Sequence, residues 1–311
     1  MAKLVNPGKR KVIAAIHANA GVTDWYAKTL QEVLNEAFAD AVMMLTAVLG
    51  KGELVPAGIA VDRCVWYVEP RLVHLAYDEH GQATQSRMQE GFWLIAVDAP
   101  PTVTKVDKAL KKWGDKWQRK FDKLSREVSK RFATRSFGTT DTSLKAALRN
   151  AGFTVSFKPT KRSLESYKLV VADNVGLIRN LQQSLYNKIQ QDTWASVRAG
   201  GDMASLASKL HKSYGIEAKR AALIARDQNN KAKATLEAAR RQELGLRRAI
   251  WQHSGGGKEP RPVHLAWGRE GKVFDLDKGL YDPDEGQWVL PGTLINCRCT
   301  SRAVIPGFDD E

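Results

Sequence analysis

Residues 103–134 read VTKVDKALKKWGDKWQRKFDKLSREVSKRFAT, and their spacing decides the class of fold. Val106, Leu110, Trp113, Trp117, Phe121, Leu124, Val128 and Phe132 recur at steps of three and four, which is the period of a helix with one buried face. The remaining faces carry Lys108, Lys111, Lys112, Lys116, Arg119, Lys120, Lys123, Arg126, Lys130 and Arg131 against only Asp107, Asp115, Asp122 and Glu127. A cationic excess of this size along a helix suits a phosphate backbone or an acidic partner. No base-reading motif accompanies it, so nucleic-acid binding through Lys111, Lys112, Lys116, Arg119, Lys120, Lys123, Arg126, Lys130 and Arg131 is expected to be non-specific.

Outward from this helix the texture alternates. Residues 22–49 repeat the helical period through Leu30, Val33, Leu34, Phe38, Val42 and Leu45, with Thr23 as the expected cap and Gly50 and Gly52 as the stop. Between 53 and 100, the runs CVWYV, RLVHLAYD and FWLIAVD are rich in β-branched and aromatic residues separated by turn formers, which predicts a small sheet. RSFGTTDTS (135–143) reads as a loop and FTVSFKP as a short strand ended by Pro159. From Ser163 to Arg248 the pattern is helical, with expected breaks at RAGGDMAS and SYGIEA, Asp202 capping one helix and Ile216 leading the next. The last sixty residues are Pro-punctuated loops and short strands such as KVFDLD and SRAVIP.

The expected fold class is therefore α+β and predominantly helical: helical blocks, a small β-containing module near 53–100, and a compact loop- and strand-rich C-terminal module. The corresponding division is a helical segment over 1–52, a β-containing module over 53–102, a basic helical region over 103–160 and a final domain over 161–311.

The totals add a strong positive charge. The chain has 311 residues and a formal net charge of +14, and 43% of its residues are hydrophobic. That charge points to a polyanionic partner. The apolar patch from Val12 to Ile16 is too short for a secretory signal core and is followed by His17. AVMMLTAVLG is too short to span a bilayer, so no membrane association is expected. Cys64, Cys297 and Cys299 cannot form a disulfide framework, which suits a reducing compartment.

Special residues concentrate near the C-terminus. Pro260 and Pro262 flank Arg261 and force an extended approach to His264, and Pro291-Gly292 is a turn pair that delivers NCRC at a set angle. EPRPVHLAWGREG (259–271) matches EPRLVHLAYDEHG (69–81) at eight of thirteen positions. A shared strand and turn, with His264 and His74 on one face, is the simplest common cause. Only the second copy is followed by NCRC, so the first reads as a structural echo.

Three chemistries remain open for the C-terminal group. His264, Cys297 and Cys299 with His253 could hold zinc, although a C-x-C is tighter than the usual ligand spacing. Cys297 or Cys299 beside His264 could form a nucleophilic pair, giving a metal- or thiol-dependent hydrolase of nuclease type. The structural reading is two buried thiols and a histidine that bridges loop carbonyls or the NCRC backbone. On that reading no cofactor and no catalytic residue is assigned.

The ordered series ADNVGLIRNL, then the helix containing ARDQ, then Trp251, PRPVH, Gly271 and LPGTLINCRC resembles the phage Mu F-type head-morphogenesis domain, over about residues 170–306. The resemblance carries the family's motif onto Arg226, Asp227, Trp251, Arg261, His264, Pro291, Gly292, Cys297, Arg298 and Cys299, without a catalytic role. It implies a non-enzymatic minor capsid protein of a tailed phage or prophage. Such a protein associates with the portal protein during procapsid assembly in the host bacterial cytoplasm, with the scaffold and major capsid protein as further partners. It would then lie in the virion, inside the capsid near the portal vertex, where packaged double-stranded DNA is within reach.

Overall fold

The apolar seam at 103–134 does not stop where the polar residues begin. Ser136, Thr140, Leu144 and Leu148 continue it at four-residue steps, all of them buried, so α2 runs unbroken over Val103–Asn150. RSFGTTDTS is thus helix, not loop. Its hydroxyls are spent on the helix itself or on distant partners: Thr139 Oγ1 and Thr142 Oγ1 donate to the carbonyls of Arg135 and Gly138, and Ser136 Oγ donates to Asn229 Oδ1 at 3.2 Å. Side-chain hydroxyls that bond back to the preceding turn are compatible with helix.

The computed structural model describes residues 3–4, 13–49, 53–56, 65–68, 73–74, 92–95, 103–199, 203–255 and 259–306. Cys64, Gly50, Gly52, Asp202 and most of 69–81 lie outside them. The other helices are α1 (Ala20–Leu49), α3 (Lys161–Arg198), α4 (Met203–Glu243) and α5 (Pro262–Glu270). The strands are β1 (Lys3–Leu4), β2 (Glu53–Pro56), β3 (Val65–Val68), β4 (Val73–His74), β5 (Phe92–Ile95), β6 (Phe153–Thr154), β7 (Arg248–Gln252), β8 (Val273–Asp275), β9 (Leu280–Asp282), β10 (Gln287–Val289) and β11 (Thr300–Ala303). The predominantly helical α+β class is as expected, and none of the helices among the described residues is long and apolar enough to cross a membrane.

Three boundaries differ from their expectations. Helix α1 begins at Ala20 with Asn19 as its cap, its Oδ1 accepting the Val22 N–H at 3.1 Å, in place of Thr23. SYGIEA lies inside α4, because Glu217 is buried there and its carboxylate is held by Ser184 Oγ at 2.9 Å and Lys188 Nζ at 2.6 Å. The helical pattern expected to reach Arg248 ends at Glu243, and Arg248 opens β7.

The chain forms two units. One comprises Lys28–Ser125 and Gly176–Ala222. It contains the antiparallel sheet β2-β5-β3-β4, in the segment where a small sheet was expected. Lys116 Nζ donates to Asp40 at 2.8 Å and Trp117 Nε1 to the same carboxylate at 2.6 Å, so this unit also clips its part of α2 to α1.

The other unit comprises Met1–Ala27, Arg126–Val175 and Leu223–Glu311. One of its cores joins Ile13 and Ile16 to Leu144, Leu148, Leu246 and Ala303. A second gathers Ala249, Trp251, Trp267, Phe274, Leu276, Val289, Cys297 and Cys299 around the sheet β11-β7-β8. In that sheet Ser301 lies opposite Trp251 and Ala249 opposite Phe274. Charge is buried here as well. Arg241, fully enclosed, bonds Glu237 and donates to Ser301 Oγ at 2.8 Å and Ser301 O at 3.0 Å, fastening α4 to β11.

Candidate functional site

PRPVHLAWGREG forms a helix where a strand was expected. Arg261 is extended (φ −60°, ψ 125°), as its flanking prolines require, but Pro262 then opens α5 at its first position, where a missing N–H costs nothing. Gly271, left-handed at φ 59° and ψ 43°, ends it. The other copy of the motif has Val73–His74 as strand β4, pairing with Val68 and Tyr67. At the two described positions of the first copy, Val73 and His74 are strand where Val263 and His264 are helix.

Helix packing puts the His264 ring inside the C-terminal core, only 2% exposed, edge-on to Trp251 at 4.8 Å and stacked on Trp267 at 5.2 Å. Close approach is possible because position 268 has no side chain. A Cβ there would fall 2.5 Å from the Cβ of His253.

NCRC arrives from the other side. Pro291-Gly292 makes the expected turn, closed by Thr293 N–H donating to Leu290 O at 3.2 Å, with Gly292 at φ 89°. Asn296 then adopts the left-handed region (φ 61°), and α4 holds it there. Its N–H donates to Asp227 Oδ1 at 3.1 Å, its Oδ1 accepts from Arg226 Nη2 at 2.5 Å, and Asn230 Nδ2 donates to the carbonyl of Cys297 at 3.2 Å. This accounts for Arg226 and Asp227 of ARDQ: they brace the NCRC turn. Burial raises the Asp227 carboxyl pKa, against the lowering pull of the Asn296 N–H and the Arg226 guanidinium. Arg261 braces the far end, donating to Glu285 Oε1 at 2.9 Å and to the Ile295 carbonyl at 3.2 Å.

The two thiols converge on one imidazole nitrogen. Cys297 Sγ lies 3.6 Å and Cys299 Sγ 3.9 Å from His264 Nδ1, and the three atoms lie within 4.8 Å of one another. The opposite ring nitrogen, Nε2, is 3.1 Å from Asp282 Oδ2. Asp282 is fully buried, and its Oδ1 accepts the N–H groups of Asp284 at 3.0 Å and Glu285 at 3.3 Å. An ionised carboxylate accepts only, so this contact puts an N–H on Nε2; in the neutral ring Nδ1 is then an acceptor, and in the charged ring it donates to a thiolate. His264 therefore bridges side chains, not the loop carbonyls or NCRC backbone that were expected.

The thiols divide their proton unequally. Hydrogen bonding from Cys299 is the main cause that lowers the Cys297 pKa, joined by His264 and by the backbone N–H groups of Cys299 and Gly292. The same exchange, with burial, raises Cys299, against lowering by the Ser254 N–H and the Trp251 indole.

A cavity of about 460 Å³ opens beside this group, lined among others by Arg226, His253, Arg261 and Arg298 as well as the three converging residues. His253 contributes to its wall, where its Nδ1 accepts the Gly255 N–H at 3.1 Å, and stands apart from the three-donor cluster. Arg298 is exposed between its buried neighbours.

Asp282 is the site residue that sequence reading missed. Its signal was an Asp-Pro-Asp-Glu-Gly turn, which marks an Asx-type turn but does not say that the free oxygen faces a histidine.

All nine basic candidates of α2 are exposed. Lys120 is paired with Glu36 at 2.5 Å, Lys116 with Asp40, and Arg131 lies over the Trp25 ring at 5.6 Å. Lys112, Lys116, Arg119, Lys123, Arg126 and Lys130 follow one another at steps of three and four along the helix.

The family described as Phage Mu protein F like protein matches residues 187–302. All ten motif positions, from Arg226 to Cys299, fall inside that match, and Asn174 and its neighbours fall before it. Over 203 residues the chain is 27% identical to an uncharacterized protein of Haemophilus influenzae, covering 64% of this chain and 43% of that one. The chain thus spans less than half the length of that relative. No solved structure matches it.

Proposed function

We propose, taking the Mu F-like domain at residues 187–302 as the premise, that this chain is a minor capsid protein acting in head morphogenesis of a tailed phage or prophage. It docks on the portal protein during procapsid assembly in the bacterial cytoplasm and meets scaffold and major capsid protein there. It then stays in the virion, inside the capsid near the portal vertex, and touches packaged double-stranded DNA without reading its sequence.

The observation that carries this reading is the family match. Two features support it. A formal net charge of +14 suits a shell filled with polyanion. The motif residues Arg226, Asp227 and Arg261 are engaged in fastening one loop, as in a part built to hold its shape. Pull-down of the full chain by its cognate portal protein is the direct test. Association at low salt is expected, and its absence would overturn portal docking. Quantitative mass spectrometry of purified heads tests virion membership separately.

The competing reading, a thiol- or metal-dependent hydrolase, gains one observation: Asp282 completes a Cys297–His264–Asp282 series of the kind that activates a thiol. A nuclease assay comparing the chain with Cys297→Ala separates the two. Multiple turnover that depends on Cys297 would displace the structural reading.

A further inference from the structure

We infer that His264, Cys297 and Cys299 bind one zinc ion, with the fourth coordination position filled by a solvent molecule from the adjoining cavity. The inference does not depend on a role in head assembly.

The spacing fits. Tetrahedral zinc bonded to sulfur at about 2.3 Å and to imidazole nitrogen at about 2.0–2.1 Å places N and S roughly 3.5 Å apart. The observed separations from His264 Nδ1 are 3.6 and 3.9 Å. Both sulfurs face the same ring nitrogen and lie close to one another, so a single cation can take all three atoms as ligands in place of the thiol protons they share.

The surroundings fit as well. Asp282 orients His264 from the far ring nitrogen, the arrangement in which a carboxylate fixes the tautomer of a metal-bound imidazole. Backbone N–H groups of Gly292 and Cys299 face the Cys297 sulfur, and the Ser254 N–H faces Cys299. Cys297, Cys299 and His264 all line the cavity, which leaves a way in for the ion and for its fourth ligand. His253 and Glu259 line it too. His253 is turned to the Gly255 N–H, so three protein ligands form the site.

The ion would tie α5 to the NCRC loop, which Arg261 at the start of α5 already holds through the Ile295 carbonyl. The test uses the full chain, purified reduced from zinc-supplemented cells and analysed for metal by mass spectrometry. One zinc per chain is expected, with replacement by cobalt(II) giving thiolate-to-cobalt charge-transfer absorption. Cys297→Ser and Cys299→Ser should each lose that absorption while circular dichroism reports whether α2 to α4 stay helical. Asp282→Asn, which keeps all three ligands, should weaken zinc affinity by roughly 10–100-fold in competition with a chromogenic chelator. Reduced wild-type chain that takes up neither zinc nor cobalt would overturn the inference, and so would zinc retained at full stoichiometry by the Cys297→Ser, Cys299→Ser double variant. The cobalt measurement on wild type needs no substitution, so a variant that fails to fold leaves the test standing.

Discussion

Tyr26 is fully buried, stacks on Phe132 at 4.5 Å and donates its hydroxyl to Asn174 Oδ1 at 2.8 Å. Burial raises its pKa above the ordinary tyrosine value, so the folded state keeps the proton where the unfolded chain releases it. A raised folded value contributes stability that is complete below the unfolded pKa of about 10 and is lost as pH rises above it. The chain should therefore lose denaturant resistance above about pH 10, and Tyr26→Phe should remove most of that slope. Urea midpoints of both proteins at neutral and alkaline pH check this. The phenylalanine variant should also cost about 1 kcal/mol at neutral pH, because Asn174 loses a partner. His264 offers a second single-residue case. His264→Ala opens a cavity beside Trp251 and leaves the buried Asp282 oxygen without its donor, which should lower stability by about 2–4 kcal/mol in metal-free protein. An unchanged melting temperature would contradict the position assigned to His264.

The helices show how much of the fold could be read in advance. The α2 seam from Val106 to Phe132 lies buried as its spacing required, with Leu124 half-buried, and so does the α1 seam from Leu30 to Leu45. The reading failed at 135–143 because the seam there changes chemistry. Ser136 and Thr140 occupy the buried face, and Ser136 is satisfied by Asn229, a residue 93 positions away. Polar residues at core positions look like a loop until their distant partners are known. PRPVHLAWGREG failed for the opposite reason: a proline that breaks a helix interior also starts one well. In the C-terminal site, His264, Cys297, Cys299 and the Pro291-Gly292 turn were legible from residue type, whereas Asp282 and the role of Arg226 and Asp227 depend on tertiary approach. Gly138 tests the continuity of α2. It sits in a helix interior, and a Cβ added there would meet nothing within 4 Å, so Gly138→Ala should stabilise the protein by about 0.5–1 kcal/mol by denaturant melting. In a loop the same change would not be expected to help. Gly268→Ala should do the reverse, since α5 cannot move away from His253 without disturbing His264.

At the scale of the molecule the cationic excess is the property with the widest reach. If α2 contacts DNA as proposed, affinity should fall steeply with salt, and the logarithmic slope should flatten by about 0.9 for each phosphate contact removed. Replacing Lys112, Arg119, Lys123 and Arg126 with glutamine tests this without touching the ion pairs of Lys116 and Lys120. An unchanged slope in fluorescence-anisotropy titrations would exclude this face. The core that joins Ile13 and Ile16 to Leu246 and Ala303 has a different consequence. During synthesis these two isoleucines emerge from the ribosome long before the strand that covers them is translated. Until residue 303 leaves the exit tunnel, Leu144 and Leu148 of α2 are the partners available to that patch, and its cover stays incomplete. Polypeptides terminated before Leu246 would leave part of it exposed, so limited proteolysis should digest them faster than the 311-residue chain.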